Sequence, residues 1–371
     1  MGGHTPQAQQ PASAVDASIP TQRSGDARRA GAPRWRRGFE LLGDWLGYAA
    51  RVARQRPDVV HLNSAYDRRA LQRDLGYALI SRLLGQPLFL KFHGSDGDLL
   101  ERPSPLWRWM TARVLSGASA VGVLSGDERR RFAARWPAVR FEQVRNAVSC
   151  DRFAGPRATP GEVPELLFIA RLVPAKGLRD CVRATRLLLD QGRRVRLVVV
   201  GDGPDRGAGE SLARELALGD AVRFVGRVPE SEATDFYLRA AMLVFPTAHG
   251  EGFSMTIFQS LAAGLPILTT RIRAAADWLQ EPDHCLWVEA GQPVPLAERI
   301  AWLLDHPEVA ARMSEAGRRH ARGFDAGYPR KPMLLPPFSD PKYKEIRNDI
   351  RAAFETLGLE FTTGTHHVIE A

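Results

Sequence analysis

The sequence from Leu238 to Thr270, LRAAMLVFPTAHGEGFSMTIFQSLAAGLPILTT, carries the signals of a strand, a glycine loop and a helix in that order. Met242–Phe245 is a short apolar run that predicts a buried parallel strand. A loop from His249 to Phe253 follows, and Ser254–Ala263 predicts a helix with Ser254 as its N-cap. Such a helix start presents backbone N–H groups and the positive end of the helix dipole, which favours phosphate binding at this loop.

Short apolar runs alternate with helical patterns over most of the chain, which predicts parallel sheets and an α/β architecture. The first series of predicted strands is Asp58–Leu62, Pro87–Phe92, Ala120–Leu124 and Phe141–Val144. The second series is Leu166–Ala170, Arg196–Val200, Val222–Val225, Met242–Phe245, Ile267–Thr270 and Cys285–Val288. Residues 146–163 have no periodicity and separate the two series. We therefore predict domains at 1–160 and 161–325, with residues 1–34 poorly ordered and an atypical tail at 326–371.

Composition restricts the partners without selecting one. The 371 residues carry a net charge of +9, which allows nucleic acid, an anionic membrane surface or a phosphorylated substrate. Arginine is scattered over the chain, as it is in many proteins encoded by GC-rich genomes, so the charge alone does not indicate a binding surface. The three cysteines are isolated and lack the spacing of metal ligands, which fits a cytoplasmic protein.

Apolar residues recur at helical spacing from Trp35 to Ala53: Trp35, Phe39, Leu42, Leu46, Ala49 and Ala53. This pattern predicts an amphipathic helix whose apolar face packs on a sheet. The alternative is a helix that lies on a membrane surface, anchored by its Trp and Arg residues.

Two cations follow the predicted strand Leu166–Ala170. Arg171 and Lys176 flank the turn, and Gly177 opens the next helix. An arginine that can pair with two oxygens and a lysine that acts as a point charge suit a diphosphate. A solvated loop pair is the alternative, and the nearby second loop favours the diphosphate.

Other candidates are weaker. Gly201-Asp202-Gly203-Pro204 departs from the dinucleotide pattern G-x-G-x-x-G, so a tight turn is the better interpretation. Glu251 lies between two glycines, where backbone can approach a ligand closely, and His93 ends a strand in the first half. Asp96-Gly97-Asp98 has the spacing of a metal-binding D-x-D, but such triplets are common by chance. We predict no metal site.

Several separated motifs resemble the retaining family 4 glycosyltransferases of GT-B fold. They are Arg171…Lys176-Gly177, GDGP at 201–204, FVGRVP at 224–229 and EGFSMTIFQSLAAGLPI at 251–267, preceded by DVVHLN at 58–63, KFHGSD at 91–96, VGVLS at 121–125 and NAVSCDRF at 146–153. The motifs span about residues 55 to 322 in the family's order. The resemblance implies two Rossmann-like domains that face a cleft, with an acceptor bound by the first and a nucleotide-sugar by the second.

The resemblance also implies roles for single residues. Arg171 and Lys176 would hold the donor diphosphate and stabilise the departing nucleotide. Glu251 would accept hydrogen bonds from the donor sugar, and His93 would contact that sugar from the other domain. The donor would further contact the segment from Gly252 through Phe253, Ser254, Met255 and Thr256, together with Gln259, Arg227, Val228 and Gly3.

The chain departs from the family pattern at three places. Gln259 stands where the family has a second glutamate that binds ribose hydroxyls, so we expect weaker donor binding. Gly2-Gly3 resembles the remnant of the family's first glycine loop, and the run at 14–20 would be the second strand. We therefore expect the N-terminal sheet to lack its first strand. The tail after Asp325 does not resemble the family's closing helix.

The resemblance thus implies a bacterial-type glycosyltransferase, cytoplasmic or peripheral at the inner membrane, that needs neither cofactor nor metal. It would move a sugar from a nucleoside-diphosphate donor to a sugar or lipid-linked acceptor hydroxyl with retention, in polysaccharide, lipopolysaccharide or glycolipid assembly. The alternatives are an inactive nucleotide-sugar-binding remnant and a GT-B nucleotide-sugar epimerase. Nucleic-acid binding ranks last because no base-stacking module is present.

Overall fold

The computed structural model describes residues 34–57, 59–95, 97–158, 161–250 and 252–325. The predictions that concern Gly3, the run at 14–20, Asp96, Glu251 and the tail 326–371 lie outside these residues. The described residues fall into two compact units. One comprises those within 34–123 and 129–144, and the other those within 124–128 and 145–325.

The described part of the first unit is built on a parallel sheet with the strand order β1-β2-β3-β4. Its strands are β1 Val60–Tyr66, β2 Leu88–Ser95, β3 Ala120–Val123 and β4 Phe141–Gln143. The helices in this half of the chain are α1 Arg34–Gln55, α2 Arg68–Leu83, α3 Gly97–Glu101, α4 Pro105–Ser116 and α5 Gly126–Arg135. The predicted alternation of strand and helix is confirmed here.

Strand β1 is longer than the apolar run that predicts it. The prediction ends at Leu62, whereas the strand continues to Tyr66. Beyond Leu62 the inward positions are Ser64 and Tyr66, both buried, so the signal changes from a continuous apolar run to alternation. Asp67 then begins α2, because its side chain accepts hydrogen bonds from the amides of Arg69 and Ala70, each at 2.8 Å.

Helix α1 forms where it is predicted, but the face that it buries is not the predicted one. Phe39 and Leu46, which belong to the predicted core stripe, are 70% and 63% exposed. The buried side consists of Tyr48 and Val52, with Trp45 partly buried beside them. Tyr48 and Trp45 hydrogen-bond to α2, because amphipathic aromatic residues satisfy both an apolar contact and a hydrogen bond when they pack on a helix.

The second unit contains a parallel sheet in the order β10-β9-β8-β5-β6-β7. Its strands are β5 Glu165–Ile169, β6 Arg196–Val200, β7 Val222–Gly226, β8 Met242–Phe245, β9 Ile267–Thr269 and β10 Leu286–Trp287. The helices are α6 Leu178–Asp190, α7 Arg206–Glu215, α8 Glu230–Arg239, α9 Met255–Ala263, α10 Arg273–Trp278, α11 Pro293–Asp305 and α12 Pro307–Ala321. Strands β6 and β8 are buried over nearly their whole length, as expected for parallel strands covered on both faces.

Three helices of the second unit differ from the sequence prediction. Helices α8 and α10 have no predicted counterpart, and α7 begins at Arg206 rather than near Ser211. The start of α7 contains two glycines, which weaken the helical signal. One of them, Gly209, is required by packing, because a Cβ there would lie 2.8 Å from the side chain of Leu178. No helix among the described residues combines the length and apolar character needed to cross a bilayer.

Candidate functional site

A cleft of about 860 Å³ opens at the carboxyl edge of the second unit's sheet. The segments at the carboxyl ends of β5, β6 and β7 form its floor, and helices α8 and α9 form its wall. The lining residues are Ile169, Ala170, Arg171, Val200, Gly201, Asp202, Arg227, Val228, Pro229, Glu230, Ala233, Tyr237, Thr256 and Gln259. Five of the predicted site residues are therefore brought together here: Arg171, Arg227, Val228, Thr256 and Gln259.

The strand order explains the position of the cleft. From β5 the chain proceeds outward through β6 and β7 on one side, and β8 lies on the other side of β5. The connections after β5 and β8 therefore diverge at the carboxyl edge. Open parallel sheets bind ligands at such a point, because the diverging connections leave a crevice.

The Gly201-Asp202-Gly203-Pro204 segment makes a turn against β5. Gly201 has a φ of +129°, and a Cβ on it would lie 1.9 Å from the carbonyl oxygen of Ala170. The amide of Gly201 donates to Gly226 O at 2.8 Å, and the amide of Leu172 donates to Asp202 O at 2.9 Å. These bonds join the ends of β5, β6 and β7, so the turn is also part of the cleft floor.

The loops after β5 and β8 are joined through the carbonyl of Ala175. That oxygen accepts the amides of Ala248 and His249, at 2.8 and 3.0 Å, and the hydroxyl of Thr247 at 3.2 Å. Gly177 approaches the end of β8 closely, since a Cβ on it would lie 2.4 Å from Pro246 O. The loop that bears Lys176 is therefore held against the loop that leads into α9.

Positive charge accumulates where these two loops meet. Lys176 is 5% exposed, and burial together with the charge of Arg171 lowers its pKa to about 8. Its ammonium lies 5.4 Å from the centre of the Phe245 ring. The pKa of His249 is also lowered, first by desolvation and then by Lys176, Arg171 and Arg273. Such a convergence of cations favours a ligand with more than one negative charge.

Two hydrogen bonds fix the helical wall of the cleft. Tyr237 is buried and donates from its hydroxyl to Gln259 Oε1 at 3.0 Å. Burial raises the pKa of the Tyr237 phenol, so the group stays a donor. The hydroxyl of Thr256 donates to Ile169 O at 3.1 Å, which attaches the first turn of α9 to the end of β5.

The segment 252–256, which is predicted to contact the donor, leads into the first turn of α9. Ser254 occupies the predicted N-cap position, but its side chain makes no capping hydrogen bond, and it is 7% exposed. Its carbonyl oxygen accepts hydrogen bonds from the amides of Ile257 and Phe258. The amides of Met255 and Thr256 therefore precede the first hydrogen bonds within the helix. Gly252 is buried, and the Met255 side chain is partly exposed.

Phe253 belongs to an aromatic cluster beneath the loop. Its ring stacks on that of Phe258 with the ring centres 3.8 Å apart, and Phe324 packs against both rings. The side chain of Phe253 therefore supports the loop from below. A ligand contact by this residue, as predicted, would come from its backbone amide.

His93 lies in the first unit, at the carboxyl end of β2. Its Nε2 is 2.7 Å from Asn63 Oδ1, and the side chain retains a solvent-exposed edge. Desolvation by the surrounding protein, followed by the charge of Lys91, lowers the pKa of His93 to about 4. The imidazole is thus neutral at physiological pH and can donate or accept a hydrogen bond. Its contact with a donor sugar stays a prediction.

The cleft includes residues that the sequence analysis did not single out as ligands. Asp202 and Tyr237 line it, as does Glu230, which binds the guanidinium of Arg152 through its carboxylate and its backbone carbonyl. The GDGP motif is a sequence signal for Asp202. Tyr237 carries no such signal, because its partner Gln259 lies 22 residues away in sequence. Among the described residues, no group of His, Cys, Asp and Glu is arranged to hold a metal ion.

Two family models match the chain. One, described as glycosyl transferases group 1, matches residues 152–320, and the other, described as a glycosyl transferase 4-like domain, matches residues 4–147. The boundary between the models falls close to that between the two units.

Curated relatives are glycosyltransferases. A D-inositol 3-phosphate glycosyltransferase of Streptomyces avermitilis is 30% identical over 209 residues, which are 53% of this chain and 44% of the relative. A GDP-mannose-dependent alpha-(1-6)-phosphatidylinositol monomannoside mannosyltransferase of Mycobacterium tuberculosis is 28% identical over 58% of this chain and 60% of the relative. The chain thus spans about half the length of these two relatives.

A solved structure supports the fold. The Anabaena protein Alr3699/HepE in complex with UDP-glucose aligns with a TM-score of 0.60 at 15% identity, over 84% of this chain and 81% of that one. At this identity the likeness concerns the two-domain α/β fold alone.

Proposed function

Because the chain belongs to the group 1 glycosyltransferases of GT-B fold, we propose that it transfers a sugar from a nucleoside-diphosphate-sugar to an acceptor hydroxyl with retention of configuration. The observation that carries the proposal is the convergence of Arg171 and Lys176 beside the cleft at the carboxyl ends of β5, β6 and β7. The cleft supplies room for a nucleotide, and the two cations supply charge for its diphosphate.

In the proposed reaction the bond between the sugar's anomeric carbon and the diphosphate oxygen breaks, and the diphosphate takes the electron pair. A bond to the acceptor oxygen forms on the same face of the sugar, and the departing diphosphate can accept the acceptor's proton. Arg171 and Lys176 stabilise the negative charge that develops on the leaving group. We propose that these cations make a divalent metal unnecessary, so activity should persist in EDTA.

The donor and acceptor are proposed from the relatives' chemistry. The names of the relatives include GDP-mannose and D-inositol 3-phosphate, and the solved neighbour binds UDP-glucose. We propose a GDP- or UDP-sugar donor and a polyol or lipid-linked sugar acceptor, within glycolipid or polysaccharide assembly at the cytoplasmic side of a membrane. Arg227 and Val228, which line the far end of the cleft, would contact the base.

The first experiment measures thermal stabilisation of the full chain by UDP-, GDP- and ADP-sugars. A donor at 100 times its dissociation constant stabilises by about 2.7 kcal/mol, which is measurable. We expect one donor to stabilise the chain and Arg171→Ala to abolish the effect. Arg183→Ala is the matched control, because Arg183 is an exposed arginine of α6 outside the cleft lining.

Product analysis then tests the reaction. Transfer to an acceptor with the donor's anomeric configuration, followed by NMR, supports a retaining glycosyltransferase. Conversion of the donor into its epimer without an acceptor would identify an epimerase instead. Donor binding without turnover across an acceptor panel would indicate the inactive-remnant alternative.

A further inference from the structure

Exposed large apolar side chains are concentrated on one helical layer of the first unit. Of eleven such side chains among the described residues, eight lie on helices α1, α2 and α4 or at the end of α2. They are Phe39, Leu42, Leu46, Leu79, Leu83, Leu84, Leu106 and Trp109. Scattered exposed apolar residues are ordinary, whereas a concentration of this kind indicates an interaction surface.

The three helices form one layer with α2 between the other two. The indole of Trp45 in α1 donates to Arg73 O at 3.0 Å, and Tyr48 OH lies 2.5 Å from the hydroxyl of Ser81 in α2. On the other side, Gly117 at the end of α4 lies against Ala78 of α2, where a Cβ would be 3.0 Å from the carbonyl oxygen. The outward sides of these helices are therefore neighbouring surfaces of a single layer.

The exposed side of α1 carries a continuous row of apolar side chains, which we call the ridge. Phe39, Leu42, Leu46, Ala50 and Ala53 are all exposed and recur at intervals of three and four residues. They lie on one side of the helix, opposite the buried Tyr48 and Val52. The sequence periodicity that predicts a core stripe is thus the periodicity of an outward ridge.

The outward sides of α2 and α4 combine apolar residues with arginine. On α2 the exposed residues include Arg68, Leu79, Arg82 and Leu83. On α4 they include Leu106, Arg108, Trp109 and Arg113, and the guanidinium of Arg113 lies 5.6 Å from the centre of the Trp109 ring. Neither helix exposes an acidic residue on this side; on α1, Glu40 and Asp44 lie on the flank of the ridge.

A groove beside Trp109 suits an anionic headgroup. It has a volume of about 390 Å³ and is lined by Pro103, Pro105, Arg108, Trp109, Ala112 and Arg135. Two arginines and a tryptophan in the lining of a small groove can bind a phosphate and its attached glycerol.

We propose that the outward face of α1, α2 and α4 docks on an anionic lipid bilayer. The ridge of α1 with Leu83 and Trp109 enters the headgroup region, while Arg82, Arg108 and Arg113 bind lipid phosphates. The occupant is an anionic bilayer, because the face combines exposed apolar side chains with arginines and carries hardly any exposed acid, which is the composition of a surface that binds anionic lipid.

The test is sedimentation of the full-length chain with vesicles of phosphatidylcholine alone and with ~30% phosphatidylglycerol. We expect binding to the anionic vesicles only, reduced at least about tenfold in Leu83→Glu/Trp109→Glu and reversed in ~0.5 M NaCl. The matched control is Val294→Glu/Trp302→Glu, which alters two exposed apolar residues of the second unit and should bind as the parent chain does.

A second pair of variants tests the charges. Arg82→Glu/Arg113→Glu should lose anionic-vesicle binding, whereas Arg183→Glu/Arg312→Glu in the second unit should retain it. The donor-induced thermal shift serves as the folding control, because the donor cleft lies in the other unit.

Other outcomes overturn the proposal. If Leu83→Glu/Trp109→Glu and Arg82→Glu/Arg113→Glu bind vesicles as well as the control variants do, this face is not the docking surface. No vesicle binding by the intact chain would mean that another part of the chain covers the face. A dimer in light scattering that Leu83→Glu/Trp109→Glu dissociates, with no vesicle binding, would assign the face to a second copy.

Discussion

The hydroxyl of Tyr237 donates a hydrogen bond to Gln259 Oε1 at 3.0 Å, so the amide oxygen of Gln259 is already engaged inside the cleft wall. The amide NH₂ is therefore the group that Gln259 offers most readily to a ligand. A ribose hydroxyl would meet a neutral donor there instead of the carboxylate implied by the family resemblance.

Replacement of Gln259 by glutamate should strengthen donor binding. A carboxylate can accept from Tyr237 and from a ribose hydroxyl at once, and charge-assisted hydrogen bonds are stronger by about 1 kcal/mol, or roughly fivefold in affinity. Calorimetric titration of the donor compares the parent chain, Gln259→Glu and Gln259→Ala. An unchanged affinity in both variants would show that this residue does not contact the nucleotide.

Donor affinity should fall as the pH rises through the pKa of Lys176. That pKa is about 8 in the free protein, because burial and the charge of Arg171 favour the neutral amine. The charged form is the one that binds a diphosphate, so affinity should drop up to roughly tenfold between pH 7 and 9. Lys176→Arg stays charged and should show a flat profile. A parallel decline in that variant would contradict the assignment to Lys176.

Replacement of Gly201 by alanine should lower the free energy of unfolding, whereas replacement of the nearby Gly207 should raise it. In Gly201→Ala the new Cβ meets Ala170 O at a starting distance of 1.9 Å, at a φ of +129°. We expect a loss of about 1–3 kcal/mol or more. Gly207 lies in α7 with no atom within 4 Å of an added Cβ, so Gly207→Ala should stabilise by about 0.5–1 kcal/mol. Urea unfolding measures both, and similar values would refute the turn geometry.

The stability of the chain should rise with pH above 7 through Lys91. This lysine is 1% exposed in β2, and burial lowers its pKa to about 7 from 10.5. Between those values the unfolded chain holds a proton that the folded chain has released, so the free energy of unfolding increases with pH, by at most about 1.4 kcal/mol per unit. Lys176 contributes in the same direction.

Lys91→Met isolates that contribution. The variant should show a smaller slope of unfolding free energy between pH 7 and 9 than the parent chain, measured by urea unfolding at each pH. Identical slopes would show that Lys91 remains charged when folded.

Much of the α/β architecture could be predicted because parallel strands covered on both faces leave continuous apolar runs. RLVVV before Gly201 and MLVF before Pro246 are examples, and both form strands at the predicted positions. Loop chemistry at a strand end is equally local, and it singles out Arg171, which lines the cleft. Thr256 and Gln259, which also line the cleft, are expected there from the family resemblance.

Other features depend on contacts between distant residues. Periodicity on α1 shows that Phe39, Leu42 and Leu46 share a side, but which side faces inward depends on how Trp45 and Tyr48 fit against α2. The engagement of Gln259 by Tyr237 and the start of α7 at Arg206 are decided in the same way, by packing.

The sequence by itself determined the succession of strands along the chain, the glycine turns and the cations that follow them, because apolar periodicity and backbone stereochemistry act over a few residues. Only the tertiary structure decided which apolar face of α1 is buried, that burial lowers the pKa values of Lys91 and Lys176, and that the Gln259 amide oxygen already has a donor. Desolvation, charge coupling and side-chain hydrogen bonds act through space, between residues that the sequence leaves far apart.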